Sequence, residues 1–168
     1  MTFASAHKRR KIDVVLPKNT VLDRLLISTL AAGKDEAEKL LALYGPVTHT
    51  TVPLKVTVHG CCRNAGKISE AAGAATYWGP NARLNTSGRV WGAQTSPRAE
   101  LLSVLLALKS APLFKSLEIS TQSEYVIRSV VHYAARNDAC GWRCANGDIL
   151  KEIMIFIKRR SVPLSMSH

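Results

Sequence analysis

The stretch Gln94-Thr95-Ser96-Pro97-Arg98-Ala99-Glu100-Leu101-Leu102 most constrains how this chain can fold. Thr95 or Ser96 can cap a helix through its hydroxyl, and Pro97 suits the first helical position, where a backbone N–H would have no intrahelical partner. Apolar residues then recur as far as Leu108, which predicts a helix over 96–110. This count puts Glu100 in the first turn, where the helix dipole favours the charged carboxylate and the side chain faces whatever lies across the helix entrance. Alone, that glutamate is an ordinary first-turn residue. The segments around it decide whether it is more.

Upstream, Leu54-Lys55-Val56-Thr57-Val58-His59 alternates apolar and polar residues as a half-buried strand does, and Gly60 to Gly66 reads as a turn. Ala71 to Trp78 is a strand of small residues closed by Gly79-Pro80, and Leu84 to Gly92 is a third strand, which gives an antiparallel meander. Downstream, a strand over Leu117 to Gln122 precedes a helix over Ser123 to Ala135 with Val126, Ile127, Val130 and Val131 on its apolar side. A loop carrying Trp142, a helix over Gly147 to Arg160 and a last strand over Val162 to Met166 complete an α/β order with a mixed sheet. Residues 1–50 read as a basic tail and a short helical appendage, and residues 51–168 as the main domain. The appendage holds a capped helix from Thr20 to Leu30 and another from Asp35 to Tyr44, ended by Gly45-Pro46. Their apolar faces are expected to pack on the main domain or on a protein partner.

A chain of 168 residues fits one domain, and no apolar run approaches the ~20 residues that span a bilayer. The net charge of +11 favours polyanions, whose phosphates give binding energy through counterion release, and makes nucleic acid the leading partner class. The start lacks the apolar stretch that follows the charges of a secretory signal, so an intracellular setting, nuclear or cytoplasmic, is expected. The cluster Lys8-Arg9-Arg10-Lys11 can serve nuclear import or hold phosphate. Cys61, Cys62, Cys140 and Cys144 lack the spacing of a zinc site and are expected to be free thiols.

Four runs in order, Val58-His59-Gly60-Cys61-Cys62-Arg63-Asn64-Ala65-Gly66, Tyr77-Trp78-Gly79-Pro80, Gln94 to Glu100, and Thr121-Gln122-Ser123, resemble the type 1 ribonuclease H family over about residues 54–168. The resemblance implies a ribonuclease H-like mixed five-stranded sheet flanked by helices. It also implies cleavage of the RNA strand of an RNA–DNA hybrid with two Mg2+ ions, or with Mn2+. That chemistry needs clustered carboxylates, because the ions must be held where one activates water and the other stabilises the leaving oxygen. At three family acid positions this chain has His59, Glu100 and Gln122, and the helix that carries the fourth acid is absent from the sequence. Glu100 remains as the catalytic and metal-binding candidate. Glu70 and Asp148 fall at the wrong places to substitute.

The family's nucleic-acid contacts carry over better, onto Gly60, Cys61, Cys62 and Asn64 in the loop after the first strand and onto Gln94, Thr95 and Asn146 near the phosphate pocket. Ala93 stands where an arginine is usual, and Ser96 and Pro97 replace amide side chains. Trp142 is either a loop anchor or part of the DNA channel. Arg63, Lys67, Arg83, Arg89, Arg98, Arg128, Arg136 and Arg143 supply charge for backbone contacts. The expected function is RNA–DNA hybrid or structured-RNA recognition with cleavage lost. A weakly active hybrid endonuclease, or a structural relic of a mobile element or polyprotein, are the alternatives. The absent last helix is expected to leave apolar sheet surface for the appendage to cover.

Overall fold

The computed structural model describes residues 35–168. The basic tail and the expected helix over 20–30 lie outside them. The elements run α1 (Glu36–Tyr44), β1 (Leu54–Arg63), β2 (Ala71–Tyr77), β3 (Thr86–Arg89), α2 (Ser96–Ser110), β4 (Leu117–Thr121), α3 (Glu124–Ile127), a π-helical turn (Arg128–His132), α4 (Ala134–Ala139), α5 (Gly147–Lys158) and β5 (Leu164–Ser167). The five strands form one sheet in the order β3-β2-β1-β4-β5. The β1–β2 and β2–β3 pairs are antiparallel, and the β1–β4 and β4–β5 pairs are parallel.

Helix α2 is the centre of the core. Leu101, Leu102, Val104, Leu105 and Leu108 are buried with Val56 and Val58 of β1, Ala72 and Ala74 of β2, and Leu117 and Ile119 of β4. Each buried Leu, Ile or Val side chain among them contributes roughly 1.5–3 kcal/mol on leaving water. The small residues of β2 let α2 lie close over β1 and β2, and α5 packs beside it with Ile149, Leu150 and Ile153 buried. All helices in contact with the core sit on this one face.

Several boundaries differ from the sequence reading, each for a physical reason. β1 does not end at His59 but runs to Arg63, because Cys61, Cys62 and Arg63 pair with Gly73, Ala72 and Ala71 of β2. β3 is shorter than expected, since pairing stops at Gly73–Arg89. The helix expected from Ser123 to Ala135 breaks into α3, the π-helical turn and α4. Val130 remains buried through the break, so the apolar periodicity gave no sign of it. The Tyr44 hydroxyl donates to the Val130 carbonyl at 2.6 Å, inside that turn. Burial, with Asp138 nearby, pushes the Tyr44 phenol far above its ordinary value.

Of the appendage, helix α1 lies among the described residues. Helix α1 packs on α4 and α5 rather than across the sheet. The face opposite α2 is covered by nothing among the described residues, and it is not apolar. Strict alternation along the strands gives it Lys55, Thr57, His59, Cys61 and Arg63 from β1, Ala71, Gly73, Ala75 and Tyr77 from β2, and Ser87 and Arg89 from β3. On β4 and β5 the same face carries a Lys55–Glu118 ion pair at 3.3 Å and a Ser120–Ser167 hydroxyl contact at 3.2 Å.

Candidate nucleic-acid interface

Thr95, not Ser96, caps α2: its extended backbone lets Oγ1 accept from the Arg98 N–H. Ser96 and Pro97 are then the first two helical residues, so Glu100 falls in the second turn rather than the first. What fixes Glu100 is Gly60. A Cβ there would lie 2.2 Å from the Glu100 nitrogen and 2.3 Å from the Ala99 carbonyl carbon, so β1 and α2 touch backbone to backbone. Only glycine permits that approach. The Glu100 carboxylate accepts the Ser123 hydroxyl, and Ser123 in turn caps α3 directly after Gln122.

Register and the Ser123 bond bring the three positions near the carboxyl end of β4, with His59 lying inside β1 and its side chain on the face opposite α2. Val58 pairs with Thr121, which sets His59 beside Gln122 one step further on. His59 and Gln122 are exposed, Glu100 is half-buried, and no hydrogen bond joins any two of them among the described residues. A divalent pair fits this set badly. His59 brings nitrogen without charge, Gln122 a neutral oxygen, and Glu100 the only carboxylate, already engaged by Ser123. Among the described residues no three His, Cys, Asp or Glu side chains gather as a metal site.

The expected nucleic-acid residues divide into framework and free groups. Gln94 is framework: its oxygen accepts from the Ala72 N–H and its amide donates to the Val90 and Gly92 carbonyls, each at 2.9 Å. It fixes the loop leading to Thr95 and has no spare amide to offer a ligand. Cys62 donates its thiol to the Gln94 carbonyl at 3.0 Å, while Cys61 is exposed. Asn64 takes a left-handed backbone (φ 54°) and donates to Ser69 O at the edge of hydrogen bonding, 3.4 Å, so it turns the loop and stays exposed. Asn146 donates to the Tyr125 hydroxyl at 3.1 Å.

Trp142 and Arg98 are both held by side-chain partners. Trp142 is 8% exposed and its indole donates to Asp138 at 3.0 Å, the geometry of the loop-anchor reading. Gly147 is part of the same lock, since a Cβ there would fall 1.9 Å from the Trp142 oxygen. Arg98, expected to meet phosphate, is 7% exposed: it donates to Asp148 through both terminal nitrogens, to the Trp91 carbonyl at 2.7 Å, and stacks on the Trp91 ring at 5.8 Å. The pairing holds the Asp148 carboxyl below its usual range and the Arg98 guanidinium above its own. This pair clamps the start of α2 to the start of α5. Sequence reasoning missed it, although an arginine on an otherwise apolar helix and an aspartate opening another were both visible.

The RNase H family model matches residues 53–165. Ribonuclease H1 of Mus musculus is 32% identical over 94 residues, covering 55% of this chain and 33% of that protein. Ribonuclease H1 of Homo sapiens is 31% identical over 108 residues, covering 62% and 38%. The chain thus spans little more than a third of the length of the relatives it matches. A structure described as foamy viral protease-reverse transcriptase in complex with dsDNA aligns with a TM-score of 0.53 at 19% identity, over 70% of this chain and 86% of that one, and supports the fold. With the sheet order, the Gly60 contact under Glu100 and a family match across two thirds of its residues, the chain belongs to the RNase H family.

Proposed function

We propose that this protein binds RNA–DNA hybrid, or structured RNA of similar shape, and does not cut it. The observation that carries the reading is the donor set around Glu100, one carboxylate beside a histidine and a glutamine where hybrid cleavage needs several acids to hold two metal ions. Mg2+ or Mn2+, general to the family, would find only Glu100 as an anionic ligand here. The recognition parts are better supplied. Exposed Cys61, Arg63, Asn64 and Lys67 border the β1–β2 turn, Thr95 and Asn146 lie near the entrance of α2, and the net charge of +11 suits a phosphate backbone. Such a ligand implies an intracellular site of action, nuclear or cytoplasmic.

Fluorescence anisotropy on a labelled 16-base-pair hybrid, at several salt concentrations without divalent metal, tests the binding half. Affinity should fall with salt along a log–log line of slope near −0.7 to −0.9 per phosphate contact. No detectable binding at low salt, or a flat salt response, refutes it.

A further inference from the structure

A groove beside β5 is shaped by the way α1 is tied down. The Tyr44 hydroxyl pins the end of α1 to the Val130 carbonyl, and further on the Thr48 N–H donates to the Ser161 carbonyl at 3.0 Å. Gly45, in the left-handed region at φ 88°, turns the chain between these two pins. Beside them lies a cavity of about 510 Å³, lined by Leu40 and Leu41 of α1, Val131 of the π-helical turn, Ile157 of α5 and Met166 of β5. None of the residues assigned above to hybrid binding lines it. Those residues gather at the β1–β2 turn and the entrance of α2, whereas β5 is the edge strand beyond β4.

One charged group stands on this apolar wall. Arg160 lines the cavity and is 6% exposed. Its Nη2 donates to the Pro112 and Lys115 carbonyls, while Nε and Nη1 are buried with no partner among the described residues. No acid among the described residues pairs with it, and none lines the cavity. Burial pulls the guanidinium below its ordinary pKa, and an arginine keeps its charge all the same. A buried charge without a counterion is unfavourable, and spare donors beside it add to the cost. Arg98 shows the contrast: it is as deeply buried, yet Asp148 accepts from both of its terminal nitrogens.

The apolar walls and the lone cation together select the occupant. Small-molecule sites are mostly apolar clefts of about 300–1,000 Å³ in which a few polar groups set orientation, and this groove has that size and make-up. A single positive charge is matched by a single negative one. A carboxylate carries one, whereas a phosphate monoester carries about −1.5 to −2 near neutral pH and would bring unmatched charge into the same space. The walls are matched by an aliphatic body. We infer that the groove between α1, α5 and β5 binds an amphiphilic monocarboxylate of the medium-chain fatty acid class, its head at Arg160 and its tail along Leu40, Leu41 and Val131. This site goes beyond hybrid binding and stands or falls separately from it.

The test is isothermal titration calorimetry of the full chain with octanoate and decanoate, each below its aggregation concentration, beside 1-octanol and octylammonium. Octanoate should bind about tenfold tighter than octanol or octylammonium, because only the carboxylate meets the guanidinium. Decanoate should bind roughly tenfold tighter than octanoate, since two more methylenes leave water. Arg160→Gln removes the charge while keeping a donor for the Pro112 and Lys115 carbonyls, and should erase the preference for octanoate over octanol. Leu41 and Val47 are 57% and 55% exposed, so Leu41→Glu and Val47→Glu keep the test readable where Arg160→Gln fails to fold. Each should weaken decanoate binding about tenfold, with a parental melting curve and hybrid affinity within about threefold of the parent's. The inference is overturned if the parent binds no decanoate, if octanol binds as well as octanoate, or if both glutamate variants keep parental decanoate affinity. Displacement of decanoate by the hybrid overturns it too, since the acid would then sit on the basic nucleic-acid surface.

Discussion

Adding one methyl group at Gly60 should force apart the two elements that position Glu100. The new Cβ would sit 2.2 Å from the Glu100 nitrogen. Carbon contacts become favourable near ~3.5 Å, so β1 and α2 must separate by roughly 1.3 Å. Neither partner is a flexible side chain; both are backbone, and α2 is held by Leu101, Leu102, Val104 and Leu105, all 2% exposed or less. Overpacking of this kind costs about 1–3 kcal/mol, and a rigid backbone neighbour places it at the upper end, about 3 kcal/mol. For a chain of this size that is a fall in Tm of about 6–12 °C. Denaturant titration should show a lower midpoint with an unchanged slope, meaning lost stability rather than a different unfolded state. Gly73→Ala is the control. Its Cβ meets only the Gly88 oxygen at 3.7 Å, so it should be neutral or stabilising by ~0.5 kcal/mol. If Gly60→Ala matches the parent within about 0.5 kcal/mol, a typical surface-substitution effect, the close approach of β1 to α2 is not real and the placement of Glu100 fails with it.

The clamp between α2 and α5 predicts a pH effect. Asp148→Asn leaves the buried Arg98 guanidinium without its carboxylate and should cost about 2 kcal/mol at neutral pH. Since Arg98 depresses the Asp148 pKa, this contribution is fully present above the unfolded value near 3.9 and is lost as pH falls through the lower folded value. Thermal melts of the parent and of Asp148→Asn should therefore converge on acidification below about pH 4; a constant gap would refute the ion pair. Trp142→Phe removes the indole bond to Asp138 and should lower stability by about 1 kcal/mol while leaving hybrid affinity unchanged in the folded protein. A selective loss of hybrid affinity would return Trp142 to the ligand.

The alternation of Leu54 to His59, the capped start of α2 and the four motif runs made the sheet and its central helix legible in the sequence. The order of the strands followed from the family resemblance rather than from periodicity. Local pattern failed where a long-range contact decides. Cys61 to Arg63 read as a turn because Gly60 ends the alternation of large apolar residues, yet pairing with β2 carries the strand onward. Arg98 looked like a surface group by residue type and Trp142 had two readings, and only their partners Asp148 and Asp138, 50 and 4 residues away, show how each is held. The π-helical turn left the apolar spacing intact and so left no trace. The positions of His59, Glu100 and Gln122 were readable because each is adjacent to a motif residue with a structural duty: Gly60, Ala99 and Ser123.

One assay reads both recognition and the absence of cleavage. A 5′-labelled RNA strand in an RNA–DNA hybrid is incubated with the protein at concentrations above its measured Kd, in Mg2+ and separately in Mn2+, and resolved on a denaturing gel. The expected result is bound but intact RNA in both metals and no change with Glu100→Gln. His59→Asp combined with Gln122→Asp, which restores three carboxylates, should give at most weak cleavage, stronger in Mn2+. Robust Mg2+-dependent cleavage by the unmodified chain, abolished by Glu100→Gln, would contradict it.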